Sequence, residues 1–208
     1  MIGTLILAGG SGDRIGKKKP LLNLGNRSLI SYVIEVALEF SDEIYVVINR
    51  GDDIEGFRDR LPSRVEVVRD ITRGKGPLVG IYSGLRHLRS GYSAVLPCDS
   101  PFVKVDVMRL LMEKAEGFDA AIPLWPNGYI EPLHSVYRVE AALRAAEEAI
   151  GEGELRVQNM VERLGRVAYI PVEEFKRFDP GLLTFFNINT PADLRNAEKL
   201  LSTSSPSG

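Results

Sequence analysis

Short apolar runs alternate with amphipathic segments along the first part of the chain. Each run is four to six residues long, and a glycine, a proline or polar residues follow it directly or within three residues. Such runs are typical of strands, which we predict at residues 4–7, 43–48, 65–68, 93–96 and 120–123. Between them, apolar residues at helical spacing and one polar segment predict helices at residues 29–38, 53–61, 78–88 and 105–115.

This alternation predicts the fold class. Strands that alternate with helices form a mostly parallel central sheet covered on both faces, so we expect an α/β protein, a Rossmann-like three-layer α/β/α sandwich. Right-handed crossovers place the carboxyl ends of parallel strands at one edge of the sheet, where ligands of such folds bind. We therefore expect the loops at residues 8–19, 49–53, 69–77 and 97–101 to meet there.

The second half of the chain is less regular. Its pattern predicts strands at residues 131–137, 166–171 and 182–186 and helices at residues 140–150 and 155–164. A final helix should begin with Thr190 as the N-cap, Pro191 as the first helical residue and Asp193 as the acid of a capping box. We expect one domain over residues 1–201 and a disordered tail over residues 202–208.

Composition and charge exclude several classes of protein. The 208 residues carry 26 Lys and Arg against 28 Asp and Glu, which provides no basic surface for nucleic acid. A single cysteine, Cys98, excludes an intramolecular disulfide and suits a reducing compartment. No apolar run approaches the roughly 20 residues that span a membrane. We expect a cytoplasmic protein with neither nucleic acid nor membrane as a partner.

The loop after the first strand, residues 8–19, has the chemistry of a phosphate site. It contains four glycines, Arg14 and three consecutive lysines. Glycines let backbone N–H groups approach an anion, and the cations neutralise it. The segment contains neither a Walker A motif nor a complete dinucleotide fingerprint, and the helix is delayed to residue 29. These features favour a nucleoside triphosphate wrapped by cations.

Three acceptor side chains follow the other strands of the predicted sheet. Asp99 lies at the expected phosphate edge, where an acid is unfavourable unless a divalent cation bridges it, so we predict that Asp99 binds Mg²⁺. Asn49 and Asp70 can hydrogen-bond a base edge or a ribose hydroxyl, although an Asx turn explains each equally well. His134 is interpreted as structural, and two separated histidines with one cysteine exclude a zinc site.

Taken together, these segments resemble the molybdenum cofactor guanylyltransferase family of nucleotidyltransferases. The likeness covers residues 4 to 201, and the motifs occur in the family order. They are Leu7-Ala8-Gly9-Gly10, Arg14-Ile15-Gly16 with Lys19 and Leu21-Leu22, Gly76-Pro77-Leu78-Val79-Gly80, Pro97-Cys98-Asp99-Ser100-Pro101, Glu131-Pro132-Leu133 and Asn187-Ile188-Asn189-Thr190-Pro191.

The resemblance implies transfer of GMP from GTP to the phosphate of molybdopterin, with Mg²⁺ as cofactor and pyrophosphate as product. It assigns the catalytic roles to Arg14, Lys19 and Asp99, with Asp99 as the metal ligand. The implied nucleotide-binding residues are Leu7, Ala8, Gly9, Gly10, Lys19, Asn49, Asp70 and Asp99, and the implied acceptor-binding residues are Asn187 and Asn189. Transient contacts with cofactor-delivery or acceptor enzymes are also expected.

Other functions remain open from the residues alone. Related cytidylyl enzymes carry Leu-Ala-Ala-Gly in the first motif, so Gly9 and the segment at residues 76–80 favour guanine. A guanylyl- or cytidylyltransferase acting on a sugar phosphate or on adenosylcobinamide phosphate would share the first loop and Asp99. A non-catalytic nucleotide-binding module is the third interpretation, although it would not require an acid at the phosphate edge.

Overall fold

A computed structural model describes residues 1–9, 19–71 and 76–204 of the chain. The strands are β1 (Ile2–Leu7), β2 (Asn23–Leu24), β3 (Arg27–Ser28), β4 (Glu43–Ile48), β5 (Val65–Arg69), β6 (Tyr92–Pro97), β7 (Ala120–Leu124), β8 (Ser135–Arg138) and β9 (Val167–Pro171). The helices are α1 (Leu29–Leu38), α2 (Ile54–Arg58), α3 (Pro77–Leu85), α4 (Val105–Ala115), α5 (Val139–Gly151), α6 (Val157–Glu162) and α7 (Pro191–Ser204). Within these ranges, no helix combines the length and apolar composition needed to span a bilayer.

Seven of the strands form one central sheet in the order β5-β4-β1-β6-β8-β7-β9. The four strands from β5 to β6 are parallel neighbours, and β7 pairs in parallel with β9. Strand β8 runs antiparallel to both β6 and β7. The predicted fold class, a mostly parallel sheet inside an α/β sandwich, is therefore confirmed.

Strand register brings the predicted ligand loops to one edge of the sheet. Leu7 at the end of β1 pairs with Val47 of β4 and with Pro97 of β6, and Val47 pairs in turn with Val68 of β5. These strands end nearly level with one another. The described parts of the four loops that follow them therefore begin side by side, as predicted.

Helices cover both faces of the sheet because neighbouring residues of its strands point in opposite directions. On β1, Ile6 packs with α1 and α4, whereas Leu5 packs with α3, α5 and α6. Alternate buried residues of the central strands supply both cores. Small alanines on the buried face of α5 let that helix lie close to α3.

Two predicted strands differ in the structure. Residues 182–186 form a 3₁₀ turn at Leu183–Phe185, because Leu182 adopts a left-handed φ of 50° and the Thr184 N–H donates to the Asp179 carboxylate. The strand predicted at residues 131–137 begins only at Ser135. There the His134 N–H and the Ser135 hydroxyl both donate to the Glu131 carbonyl, which bends the chain into a turn.

The start of α7 has the predicted capping box. The Asp193 N–H donates to Thr190 Oγ1 (3.2 Å), and the Thr190 N–H donates to Asp193 Oδ2 (2.8 Å). The helix continues to Ser204, two residues past the predicted start of the tail at residue 202. The Ser202 and Thr203 hydroxyls donate to carbonyls one turn back, which satisfies them inside the helix. The assignment of residues 1–201 to a single domain stays a prediction.

Candidate active site

An open cleft of about 1120 Å³ lies along the carboxyl edge of the sheet. Its volume lies at the upper end of the roughly 300–1,000 Å³ usual for small-molecule sites, so it can hold a ligand of nucleotide size. Most of the site residues predicted from the sequence line this one cleft. They are Leu7, Gly9, Lys19, Asn49, Asp70, Asp99, Asn187 and Asn189.

Three predicted residues are not in the described lining. Gly10 and Arg14 lie outside the described residues. Ala8 is 2% exposed and does not line the cleft. Its N–H donates to the Val47 carbonyl (2.8 Å), so this backbone donor is already used within the sheet edge.

Lys19 contacts cleft residues from two distant parts of the chain, Asp99 after β6 and Asn189 before α7. Its ammonium forms an ion pair with the Asp99 carboxylate and donates a hydrogen bond to Asn189 Oδ1 (2.7 Å). The Ile188 N–H also donates to the Asp99 carbonyl, which holds the segment before α7 against the end of β6. A predicted phosphate-binding lysine, a predicted metal ligand and a predicted acceptor-binding residue therefore meet at one point.

Asp99 has the chemistry of a ligand for a divalent cation. Its carboxylate is largely buried, with 13% of the side chain exposed, and it opens onto the cleft. The described residues contain no cluster of three or more His, Cys, Asp or Glu side chains that would hold a metal by themselves. One carboxylate supplemented by substrate phosphate oxygens is a donor set that Mg²⁺ accepts, so the residues fit that ion.

Asn49 is held in place by Asp52 and fills the space above Gly9. Both the backbone N–H and Nδ2 of Asn49 lie 3.2 Å from Asp52 Oδ2, to which they donate. A Cβ placed on Gly9 would lie only 2.8 Å from Asn49 Oδ1. Gly9 is therefore required for the position of the Asn49 carboxamide in the cleft.

Asp70 lines the same cleft and carries a buried acceptor atom. Its Oδ1 is buried and has no hydrogen-bond partner among the described residues. Burial, reinforced by the charge of Asp52, raises the pKa of Asp70 to about 6. A buried acceptor that lacks a partner is unfavourable.

A buried polar chain lies on the other side of Asp99. His134 Nε2 is 2.9 Å from Ser100 Oγ, and Ser100 Oγ donates to Asn187 Oδ1. His134 Nδ1 lies 3.8 Å from Glu131 Oε2. Sequence reasoning interpreted His134 as a structural residue and assigned no role to Ser100 or Glu131. The structure instead connects them to the predicted acceptor residue Asn187.

The model of the MobA-like NTP transferase domain matches residues 4–167. The chain belongs to the MobA-like NTP transferase family. A Methanosarcina mazei protein named probable molybdenum cofactor guanylyltransferase is 37% identical over 197 residues, which cover 92% of this chain and 88% of that protein. The family resemblance and the nucleotidyltransferase class inferred from the motifs are thus confirmed.

Solved structures support the same assignment of fold and family. Molybdopterin-guanine dinucleotide biosynthesis protein A from Archaeoglobus fulgidus superposes with a TM-score of 0.82 at 36% identity, over 97% of this chain and 99% of that one. A 2-C-methyl-D-erythritol 4-phosphate cytidylyltransferase from Thermus thermophilus reaches 0.71 at 20% identity, over 96% and 98% of the two chains. The second match shows a shared fold alone.

Two arginines line the cleft of this MobA-like protein without having been predicted as site residues. Arg50 and Arg156 are both exposed at its surface. Arg50 directly follows Asn49, and Arg156 directly precedes α6, which packs with α3 and α5. The position of Arg50 directly after a predicted strand could have signalled it, whereas no motif used in the sequence analysis contains Arg156. Both cations add positive charge where phosphates are expected.

Proposed function

We propose that this protein transfers GMP from GTP to the terminal phosphate of molybdopterin, forming the guanine dinucleotide cofactor and pyrophosphate. The observation that carries the proposal is the contact of Lys19 with both Asp99 and Asn189. The contact joins a lysine predicted to bind the nucleotide phosphates to a predicted metal ligand and to a predicted acceptor-binding residue. Phosphoryl transfer needs charge stabilisation between two such substrates. The names of the relatives supply the acceptor.

The reaction requires positioning and charge stabilisation rather than a protein nucleophile. An oxygen of the acceptor phosphate forms a bond to the α-phosphorus of GTP. The bond from that phosphorus to the bridging oxygen of the β-phosphate breaks, and pyrophosphate leaves with the electron pair. A phosphate nucleophile is already ionised at neutral pH, so no general base is needed. Lys19 and Arg14 would bind the phosphates and neutralise the charge that develops.

Asp99 would hold the divalent cation, which we propose is Mg²⁺. When bound, the ion supplies Lewis-acid neutralisation of the phosphate oxygens. Asn189 accepts the second hydrogen bond from the Lys19 ammonium, so it fixes the direction in which that ammonium points. Lys19 and Asp99 place a cation and an anion side by side in the cleft.

Asp70 and Asn49 are proposed to bind the guanosine part of GTP. Guanine carries two adjacent donors, the ring N–H and the amino group. The Asp70 carboxylate lines the cleft, and its Oδ1 has no hydrogen-bond partner in the part of the chain that the structure describes. Asn49 is oriented by Asp52 and faces Gly9 at the same end of the cleft. This arrangement favours guanine over a base that lacks a ring N–H.

The proposal is tested by pyrophosphate release from purified protein. We expect release only when GTP, molybdopterin and Mg²⁺ are all present, and we expect much slower release with CTP. Substitution of a sugar phosphate or of adenosylcobinamide phosphate for molybdopterin should abolish release. Release with either alternative acceptor would move the assignment to that substrate, and GTP binding without release under any condition would support a non-catalytic module. Cytoplasmic location and transient contacts with cofactor-delivery or acceptor enzymes stay predictions.

A further inference from the structure

We propose that His134, acting through Ser100, determines which end of the Asn187 carboxamide faces the cleft, and so positions the acceptor. His134 is a positioning residue in this view and does not touch the reacting atoms. The inference rests on the proposed function, because Asn187 is expected to bind the phosphorylated acceptor.

The three residues form a continuous hydrogen-bonded chain from the core to the cleft. His134 is 1% exposed and Ser100 is fully buried, whereas Asn187 is partly exposed and lines the cleft. His134 Nε2 lies 2.9 Å from Ser100 Oγ, which lies 2.5 Å from Asn187 Oδ1. Water does not reach Ser100, so its hydroxyl depends on these two neighbours.

The number of available hydrogens fixes which residue donates in each of these two hydrogen bonds. Ser100 has one hydroxyl hydrogen, and Asn187 Oδ1 can only accept, so Ser100 donates to Asn187. The Ser100 oxygen then accepts from His134, which requires a hydrogen on Nε2. With its oxygen held by Ser100, the Asn187 carboxamide directs its amino group away from Ser100 toward the cleft.

The opposite tautomer would reverse this arrangement. A neutral imidazole without a hydrogen on Nε2 would accept the Ser100 hydrogen, and Ser100 would then need a donor from Asn187. The carboxamide would rotate and present Oδ1 to the cleft. An amino group attracts a phosphate oxygen, whereas a carbonyl oxygen repels it. The direction of the hydrogen bonds from His134 to Asn187 therefore determines whether Asn187 favours an anionic acceptor.

The surroundings of His134 hold the ring in one orientation. The ring of Phe185 packs edge-on against it, with the centroids 5.5 Å apart and an interplanar angle of 82°. Glu131 Oε2 lies 3.8 Å from Nδ1, and Trp125 Nε1 donates to the other oxygen of that carboxylate (2.8 Å). Among the described residues, Nδ1 has no hydrogen-bond partner. The ring thus makes its hydrogen bond through Nε2 alone, toward Ser100.

Kinetics of four variants test the proposal: His134→Phe, His134→Gln, Asn187→Ala, and the double variant of His134→Phe with Asn187→Ala. His134→Phe keeps a planar ring but has no N–H, so we expect kcat/KM for molybdopterin to fall about tenfold. KM for GTP should remain within about twofold of wild type, because the nucleotide side of the cleft is untouched. His134→Gln can donate from the Nε2 position and should recover most of the loss.

The double variant separates positioning from a general packing role. If His134 acts through Asn187, adding His134→Phe to Asn187→Ala should lower kcat/KM by no more than about twofold further. Fully additive losses would overturn the proposal, as would an equal rise in KM for GTP. If His134→Phe does not fold, Ser100→Ala takes its place as the variant that breaks the hydrogen-bonded connection, alone and combined with Asn187→Ala. His134→Gln remains the variant that keeps the donor.

A spectroscopic measurement decides the tautomer without any acceptor. The chain has two histidines, so a ¹⁵N-histidine spectrum compared with that of His134→Gln assigns His134 directly. We expect a protonated Nε2 in the wild type, and a deprotonated Nε2 would overturn the proposal. A wild-type protein with that tautomer but without transfer to molybdopterin would instead refute the proposed function.

Discussion

The Lys19 ammonium and the Asp99 carboxylate form an ion pair at the carboxyl end of the central sheet. Only 14% and 13% of these two side chains are exposed. The partial burial strengthens their interaction relative to a pair in water. Removal of either partner leaves an uncompensated charge in the cleft. The charge left behind is negative without Lys19 and positive without Asp99, so the two substitutions should change different kinetic parameters.

We expect Lys19→Ala and Asp99→Asn each to lower kcat on the order of 10²-fold or more, as is typical when electrostatic stabilisation is lost. Steady-state kinetics over a Mg²⁺ titration distinguish their roles. Asp99→Asn should raise the Mg²⁺ concentration needed for half-maximal activity, whereas Lys19→Ala should raise KM for GTP. Lys176→Ala and Asp106→Asn change the same residue types at exposed positions outside the cleft and serve as controls. Near-wild-type turnover in either test variant would contradict the assignment.

Gly9→Ala is expected to impair GTP use more than CTP use, because the added methyl would lie 2.8 Å from Asn49 Oδ1 and displace that carboxamide. The measurement is kcat/KM for both nucleotides. In an Asn49→Ala background the same substitution should cost little more, since the obstructing atom is gone. Gly51→Ala is the matched control, because its Cβ would meet no atom within 4 Å. Equal losses with GTP and CTP would contradict a role in base selection.

The sheet and the position of the cleft were predictable because buried parallel strands have a strong sequence signal. Residues 46–48 are β-branched and buried on both faces, and the strand predicted at residues 43–48 became β4 with those bounds. Once the strand order follows a right-handed crossover pattern, the ends of β1, β4, β5 and β6 must lie together. Asn49, Asp70 and Asp99 come within two residues of the ends of β4, β5 and β6, and Lys19 belongs to the loop after β1. Their convergence therefore needed no knowledge of side-chain packing.

The polar chain from His134 to Asn187 was not predictable in the same way. Ser100 and His134 are 34 residues apart, and Ser100 and Asn187 are 87 apart, so no local spacing signals the contact. A histidine in an apolar segment has the same pattern whether it is a packed side chain or part of a buried network. The turn at Leu183–Phe185 was missed for a related reason. It depends on the Asp179 side chain, which accepts a backbone hydrogen bond that a strand would use.

Asp70→Asn should affect stability and nucleotide binding in opposite directions. The pKa of Asp70 is raised to about 6 by burial and by Asp52. The native state therefore retains a proton over roughly pH 4 to 6 that the unfolded chain has lost, and stability falls as the pH rises through that window. Above it the ionised carboxylate remains unfavourable in the native state. The variant should consequently have a higher Tm than wild type at pH 8, and the difference should disappear near pH 4.

Binding should show the opposite effect because the ionised carboxylate is the better acceptor for guanine. We expect GTP affinity, measured by calorimetry at pH 8, to fall about tenfold in Asp70→Asn, as for a lost charge-assisted hydrogen bond. As the pH falls through 6, the GTP affinity of the wild type should weaken more steeply than that of the variant. Because GTP itself titrates equally in both experiments, the comparison with the variant removes its contribution. The exposed Asp59, substituted by Asn, provides a control that should change neither quantity. A variant that binds GTP as tightly as wild type would show that Asp70 is unsatisfied for a reason other than base recognition.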